Sequence, residues 1–452
     1  MRNIALVFVY CLFFSLAMNQ QSTLQRTLTP LMLWGLGVGY VISGMYFGWN
    51  LGLEKGGTLG MAVATFFVAI LYVCFTFSYA ELACAIPKAG GVFDYASKAF
   101  GKNIGFVAGI AQTIEFIFAP PAIAFAIGAY FNAFFPNIPV LWSAMVVYVL
   151  FTALNIYGVK AAASFETIVT ILAVGELLLF ATLTLPHFAP ANLSHNALPN
   201  GWGGMFAAIP FAIWFFLGIE GVANVAEEAH NPQRDIVKGF GGAILTLLVL
   251  CILVFVSSVG VGGWEAIVYK NGIDGETSDS PLPLALAKIM GNNAAMYHLL
   301  VVVGLFGLIA SFHGLMLAAG RSTYEMGKVR NLPAFLGNIS PRFHTPANAL
   351  FINMLLGICA LLSGKTSEII IVSVFGALSL YIISMLALLA LRQKEPNLPR
   401  PFRVPFYPIL PLLALCIALV SLSALCIYNP TLALIYVGTL LISFVLFKIF
   451  VK

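Results

Sequence analysis

Twelve apolar segments that follow one another along the chain restrict its fold more than any other feature of the sequence. A transmembrane helix needs about 20 mostly apolar residues, and each segment approaches or exceeds that length. Their approximate bounds are residues 31–53, 58–84, 103–134, 139–157, 162–186, 203–226, 240–263, 296–326, 347–363, 366–391, 405–426 and 430–450. Only 9% of the 452 residues are charged, against about 25% in soluble domains. The sequence therefore predicts an all-α polytopic membrane protein in which residues 31–452 form one membrane domain.

The first 30 residues precede these segments and are predicted to form an N-terminal tail. Residues 4–17 are apolar but too short to cross a bilayer comfortably. One interpretation is a signal-peptide core behind Arg2, with small residues near Ala17 at which cleavage could occur. The alternative is that translation starts at Met18, because the sequence that follows is typical of a polar cytoplasmic tail. We favour the alternative and leave residues 1–17 out of the fold.

Lysine and arginine are distributed unequally between alternate loops. If Arg26 in the tail lies in the cytoplasm, 17 basic residues share its side, and only four lie on the other: Lys55, Lys270, Lys288 and Lys365. Because cytoplasmic loops carry the excess of positive charge, both termini are predicted to lie inside, with the protein in a bacterial cytoplasmic (inner) membrane. The net charge of +5 then reflects membrane orientation and does not indicate a nucleic-acid partner.

Two apolar segments that stand five segments apart carry glycine and polar residues at membrane depth. The first contains GYVISGMYFG (39–48), and the sixth contains FAIWFFLGIEGVANVAEE (211–228), with Gly218 and Glu220 near its centre. Transporters built from inverted repeats place broken helices at corresponding positions of the two halves, with the substrate between them. The alternative is close helix packing through small residues. Glycines in both segments, with serine in the first and glutamate in the sixth, favour two broken helices.

Three further stretches, together with the glycine-rich stretch of the first segment, resemble one family of transporters in order and spacing. YAELACAIPKAGGVFDYASKAFG (79–101), AEEAHNPQRDIVKG (226–239) and GRSTYEMGKVRNLPAFLGNISPRFHTPANAL (320–350) join the glycine-rich stretch of the first segment. Together they are similar to the amino acid–polyamine–organocation (APC) transporter family, and most similar within it to ethanolamine permeases. The resemblance implies a LeuT-like fold with inverted five-helix repeats in residues 31–186 and 203–391, followed by helices 11 and 12 in residues 405–450. It also implies substrate binding at the two breaks.

The chain departs from the family pattern at one position of the first break. Where the family has Gly-Ser-Gly, this sequence has Ile42, Ser43 and Gly44. In amino acid carriers of the family, N–H groups at this break hold the substrate carboxylate, and carbonyl groups at both breaks hold its amine. Glycine allows a ligand to approach the backbone, so Ile42 is expected to hinder a carboxylate and leave an amine site intact. This favours ethanolamine; if Ile42 has no effect, an amino acid permease or exchanger remains the alternative.

The ionisable residues within the predicted spans are acidic, which suits a cationic substrate or a proton. Four glutamates lie there: Glu115, Glu166, Glu176 and Glu220. Glu220 matches a family glutamate linked to proton sensing, and Glu115 lies in the third segment, which lines the pathway in this fold. Glu176 is more simply explained as a carboxyl group that bonds to a neighbouring helix.

Four other residues are assigned roles by the resemblance or by their position. Trp214 matches an aromatic residue that covers the substrate, where its ring would stabilise an ammonium by about 1–2 kcal/mol. Glu81 is expected at an intracellular gate. His313 could line the pathway or carry protons, although a hydrogen-bonded core histidine is the simpler interpretation. Ala173 stands where some family carriers have a lysine in place of a coupling sodium ion, so coupling to H⁺, to Na⁺ or to the membrane potential stays open.

The sequence contains no P-loop, catalytic triad or zinc motif, so neither an enzyme nor a primary pump is expected, and no cofactor or metal is predicted. A receptor using the same pocket would be expected to add a signalling domain. We therefore predict a secondary transporter whose partners are a small amine or amino acid, a coupling ion and the lipid bilayer.

Overall fold

The computed structural model describes residues 27–157, 162–270 and 275–450, and the regular secondary structure in these ranges is helical. The predictions for residues 1–17 and for most of the tail, including Arg26, lie outside the described residues. The α-helices are α1 (Pro30–Val41), α2 (Ser43–Tyr46), α3 (Asn50–Ala85), α4 (Val92–Phe100), α5 (Lys102–Asn132), α6 (Val140–Tyr157), α7 (Ala162–Thr184), α8 (Pro190–Ser194), α9 (Gly201–Trp214), α10 (Pro232–Gly262), α11 (Glu265–Val268), α12 (Pro281–Met290), α13 (Ala295–Lys328), α14 (Ala347–Leu361), α15 (Thr366–Lys394), α16 (Ile409–Tyr428) and α17 (Pro430–Phe450). Three 3₁₀ helices cover Leu185–His187, Ile219–Glu228 and Ala334–Gly337.

Ten helical segments in the described ranges are long and apolar enough to cross a membrane. The other two predicted spans differ from a simple helix for separate reasons. The first is broken into pieces, and the ninth, α14, has only 15 residues. The fold is that of an all-α polytopic membrane protein of the LeuT type, in which the broken first and sixth spans lie together in the interior.

The first span begins at a capped helix end and is interrupted twice. The Thr29 hydroxyl accepts a hydrogen bond from the Met32 N–H at 3.3 Å, which satisfies one free donor of the first turn of α1. The helix is first interrupted at Ile42, which keeps right-handed helical angles. The larger break follows α2, where Phe47 is extended and Gly48 has a φ of 86°. A side chain at Gly48 would be strained there.

The second half of the span is joined to its successor by a sharp kink. The first two turns of α3 complete the first span, and Gly57 then leaves the helical region with a φ of 64°. A Cβ at Gly57 would collide with Pro199 and with the Ala197 backbone. The kink therefore separates the first predicted span from the second, although both belong to one long helix.

The sixth span breaks once, and its break touches that of the first. α9 ends at Trp214, Gly218 takes a φ of 97°, and a 3₁₀ helix continues to Glu228. Gly44 in α2 packs directly against the Trp214 carbonyl, so that a side chain at Gly44 would have no space. The glycine at this position therefore allows two broken helices to approach through their backbones.

The helices differ greatly in how much membrane they face. The apolar window of α5 is 89% buried within the protein, whereas that of α17 is 11% buried. Large apolar side chains such as Phe66 and Leu434 are exposed on the outer surface, where lipid would cover them. α5 is therefore a central helix that forms one wall of the interior, and α17 lies at the periphery.

Candidate functional site

Several backbone donors at the first break are used by the protein itself. The Ile42 N–H donates to the Val38 carbonyl at 2.8 Å, and the Phe47 N–H donates to the Ser43 carbonyl at 3.2 Å. The Gly48 N–H donates to the Asn50 side chain at 3.0 Å. The Ile42 side chain is fully buried. These donors are therefore engaged in the state that the structure describes.

A chain of hydroxyl groups ties the first break to α13. Ser311 donates to the Tyr40 carbonyl at 2.6 Å, and the Ser43 and Ser311 hydroxyls are 2.8 Å apart. Because the Ser311 proton is already used, Ser43 donates to Ser311. Ser43 thus acts as a link between the first and eighth spans, through a residue that the sequence analysis did not single out.

Trp214 closes the space between the two breaks. Its ring meets Phe47 edge-on with centroids 5.4 Å apart, and it lies against the Cα of Gly48. The side chain is only 2% exposed, and its Nε1 has no hydrogen-bond partner among the described residues. Trp214 therefore presents an apolar face and an unused donor to the centre of the protein.

Glu115 and Glu220 form a carboxyl pair in the interior. Both side chains are essentially inaccessible, and their carboxyl groups lie within hydrogen-bonding reach of each other. A hydrogen bond between two carboxyl groups requires a proton, and two adjacent carboxylates repel each other in a dry site. Such a pair is less costly to bury with a proton between the two carboxyl groups than with two negative charges.

Two tyrosines complete this cluster. Tyr381 of α15 donates to Glu220 Oε2 at 3.2 Å, and the Tyr72 hydroxyl lies 2.9 Å from that of Tyr381. The Tyr72 hydroxyl also lies 3.4 Å from the Ile213 carbonyl, to which it can donate. Sequence reasoning missed both tyrosines, although a tyrosine hydroxyl inside an apolar span signals a buried partner.

His313 and Glu166 lie apart from the carboxyl pair, beside a large cavity. His313 Nδ1 is 3.7 Å from Glu166 Oε2, and the Glu166 carboxyl approaches the first span where Gly39 has no side chain. The cavity has a volume of about 810 Å³, and its lining includes Tyr40, His313 and Arg321. It opens toward the side of the arginine-rich loops, here called the basic face.

Glu81 also lies outside the central cluster, at the end of α3 near the basic face. It accepts two hydrogen bonds from Arg392, at 2.7 and 2.6 Å, and one from the Val404 N–H at 2.7 Å. Arg400 approaches within 3.3 Å. The Glu81 side chain is 1% exposed. The cluster joins α3 to α15 and to the loop that precedes α16.

Glu176 bonds to a neighbouring helix on the side of the breaks that lies away from the basic face. The Tyr46 hydroxyl lies 2.7 Å from Glu176 Oε2 and 3.1 Å from the Ala173 carbonyl. These contacts join α2 to α7. The Ala173 carbonyl therefore faces Tyr46. Glu166 and Thr170, which are nearer the N-terminus of the same helix, face α1 at Gly39.

The structure thus sorts the predicted site residues into two groups. It brings together around the two breaks Ile42, Ser43, Gly44, Glu115, Trp214, Gly218 and Glu220. It leaves His313 beside the cavity and Glu81 in the arginine cluster. Among the described residues, no group of three or more His, Cys, Asp and Glu side chains could hold a metal ion.

Comparison with known proteins gives matches over almost the whole chain. The family model described as amino acid permease matches residues 5–450. An uncharacterized transporter of Rhizobium meliloti (strain 1021) is 28% identical, with 87% of this chain and 85% of that protein covered. The methylthioribose transporter and the branched-chain amino acid permease BcaP of Bacillus subtilis (strain 168) are 25% and 26% identical, with 89% of both chains covered in each case.

Proposed function

Because the chain belongs to the amino acid permease family of transporters, we propose that it is a secondary active transporter for a small primary ammonium compound, with ethanolamine as the leading substrate. The observation that carries this proposal is the chemistry of the two breaks. Backbone donors at the first break, including the Ile42 N–H, are occupied by the chain itself. The ionisable groups beside the breaks are the carboxyls of Glu115 and Glu220. Such a site offers acceptors to an ammonium, whereas the Ile42, Phe47 and Gly48 N–H groups are not free to bind a carboxylate.

The charge of the carboxyl pair matches one ammonium group. A pair that shares one proton carries one negative charge, so a bound monovalent cation makes the site neutral. An uncompensated charge at membrane depth is costly, which favours loading by a cation and uptake of a proton when the site is empty. Tyr381 holds Glu220 in place through its hydrogen bond, and the Trp214 ring would add a cation–π contact of about 1–2 kcal/mol.

The large cavity supports transport by alternating access. It reaches from the basic face to Tyr40, one turn before the first break, whereas the aromatic contacts of Trp214 and the bond from Tyr46 to Glu176 lie on the opposite side of the breaks. We propose that the basic face is cytoplasmic, in a bacterial inner membrane, and that this state releases substrate inward. The repeats at residues 31–186 and 203–391 would rearrange around the breaks, with residues 405–450 at the periphery.

A neutral amino acid is the second candidate, and it rests on a different observation. One relative is named as a branched-chain amino acid permease, and another as a serine/threonine exchanger, at 24% identity. For an amino acid to bind, Ser43 and Ile42 would have to yield backbone donors to the carboxylate. Another relative is named as a methylthioribose transporter. Relatives of similar identity to this chain are therefore named for substrates of different classes.

The experiment is uptake by the purified full chain reconstituted in liposomes. Labelled ethanolamine is compared with labelled serine and leucine under imposed proton, sodium and potential gradients, and protein-free liposomes control for diffusion of the free base. We expect protein-dependent ethanolamine uptake that Glu220→Gln abolishes. Glu176→Gln is the matched control, because it changes another buried glutamate and keeps an acceptor for Tyr46. Uptake of amino acids without ethanolamine uptake would contradict the proposal.

A further inference from the structure

A second buried polar cluster lies between the carboxyl pair and the basic face. It consists of Tyr79 on α3, Gln112 on α5 and Asn224 on the 3₁₀ helix, each 2% exposed or less. The Gln112 Oε1 and the Asn224 Nδ2 have no hydrogen-bond partner among the described residues, and the Tyr79 hydroxyl lies near the Val92 backbone. Buried polar atoms without partners are rare, and an internal water is the usual explanation.

The three side chains converge on a glycine. The Cβ position that Gly91 lacks lies 2.6 Å from Asn224 Oδ1, 3.2 Å from Gln112 Oε1 and 3.3 Å from the Tyr79 hydroxyl. Gly91 has a φ of 57°, a conformation that favours glycine. The Gln112 amide nitrogen lies 3.4 Å from the Ser322 hydroxyl, which directs its oxygen toward Gly91. A small polar space with both donors and acceptors results.

Two of the three side chains come from the helices that carry the carboxyl pair. Gln112 precedes Glu115 by three residues on α5 and shares its helix face, whereas Asn224 follows Glu220 by four residues on the 3₁₀ helix, a rise of about 8 Å. One turn of α5 is about 5.4 Å, a gap that one water molecule spans with two hydrogen bonds of about 2.8 Å.

On its other side, the cluster adjoins residues that line the large cavity. Ala89, in the loop that carries Gly91, lines that cavity, and so does Val225, the neighbour of Asn224. The other ionisable groups nearby are Tyr95, which interacts electrostatically with Tyr79, and Asp94, which accepts a hydrogen bond from the Gly90 N–H at 3.1 Å.

We propose that Tyr79, Gln112 and Asn224 hold an ordered water that passes protons between the Glu115–Glu220 pair and the water of the cavity at the basic face. This inference rests on the proposed function, since it supplies the proton that the empty carboxyl pair takes up. In each transfer the bridging water accepts one proton from the cavity side and gives another to a carboxylate, so the water is regenerated. Gln112 and Asn224 act as positioning residues, because they orient the water and do not themselves ionise.

The test measures proton exchange without any substrate. The full chain in lipid nanodiscs is exposed to a pH jump, and infrared spectroscopy follows the carboxyl C=O band that disappears in Glu115→Gln and Glu220→Gln. We expect Asn224→Leu to slow the response of this band about 100-fold, the lower end of what a positioned proton-transfer group contributes. Asn224→Ser, which keeps a hydrogen-bonding group and leaves room for water, should respond like the wild type.

Asn353→Leu is the matched control, because Asn353 is another buried asparagine whose Nδ2 lacks a partner among the described residues, and it lies on α14. We expect a wild-type rate from it. Should Asn224→Leu fail to give a single species on gel filtration, Gln112→Leu takes its place with the same expectation. An unchanged rate in a correctly folded leucine variant, or a band that responds to sodium at constant pH, would overturn the proposal. Neither result depends on which substrate is carried, so loss of this inference is distinguishable from loss of the proposed function.

Discussion

Replacing Glu81 by alanine should destabilise the protein far more than removing an equally short ion pair elsewhere. Glu81 is 1% exposed and holds two arginines and a backbone N–H, so its removal leaves two positive charges in a partly dry site. Breaking a buried ion pair in this way costs about 3–5 kcal/mol. The structural consequence would be loss of the connection between α3, α15 and the loop before α16.

Glu368→Ala provides the comparison, since Glu368 bonds to Lys365 at 2.7 Å but its side chain is 44% exposed. An exposed pair of this kind contributes about 0–1 kcal/mol. Thermal unfolding in one detergent and at one salt concentration should therefore show a large fall in Tm for Glu81→Ala and almost none for Glu368→Ala. Equal melting of the two variants would refute the argument that burial decides the strength of the Glu81 cluster.

Three further predictions concern the breaks and an outer loop. Ile42→Gly should admit serine, which is ethanolamine with an added carboxylate, and unchanged selectivity in uptake assays would count against the role given to Ile42. Tyr381→Phe removes the donor to Glu220; because a hydrogen bond to a charged group contributes about 1.5–3 kcal/mol, ethanolamine binding should weaken by about tenfold or more in equilibrium binding, and equal affinity would argue against a role for this bond. Burial raises the pKa of Asp279 to about 6, and Thr366 and Lys270 oppose this with smaller effects. The folded state therefore binds the Asp279 proton more tightly than the unfolded chain does, and the free energy of unfolding should fall as pH rises from about 4 to about 6. Asp279→Asn should remove that slope in melting curves, and a slope that persists would assign it to other groups.

The helical architecture could be predicted from the sequence because a bilayer imposes a minimum length on each apolar helix. The predicted second span, for example, ends at residue 84, and α3 ends at Ala85. The break in the sixth span could also be located, since Gly218 is the residue that takes a positive φ. These features depend on local sequence alone, which explains why they are accessible without coordinates.

The form of the first break could not be predicted in the same way. The sequence interpretation centred it on Ile42, Ser43 and Gly44, whereas the largest departure from helical geometry lies at Phe47 and Gly48. Six glycines are spread through this span, and local sequence does not say which of them takes a positive φ. The position is decided by packing against the sixth span, where Trp214 lies on Gly48.

The contacts between spans were equally inaccessible from one sequence. Glu115 and Glu220 were each identified as intramembrane acids, but they come from different repeats, and nothing in their spacing predicts that their carboxyl groups meet. Tyr381 lies in yet another span, and its hydroxyl reaches Glu220 at 3.2 Å. Tertiary packing thus converts separate candidates into one cluster.

Binding of ethanolamine and of L-serine to the purified wild-type protein tests the central claim most directly. The two ligands share an ammonium and a hydroxyl group, and only serine has a carboxylate. The difference between their affinities therefore measures the effect of the carboxylate, which the occupied N–H groups and the Glu115–Glu220 pair are proposed to disfavour. Equilibrium binding at one pH and salt concentration should show ethanolamine binding that Glu220→Gln abolishes, with serine much weaker. Tighter binding of serine than of ethanolamine would contradict the account.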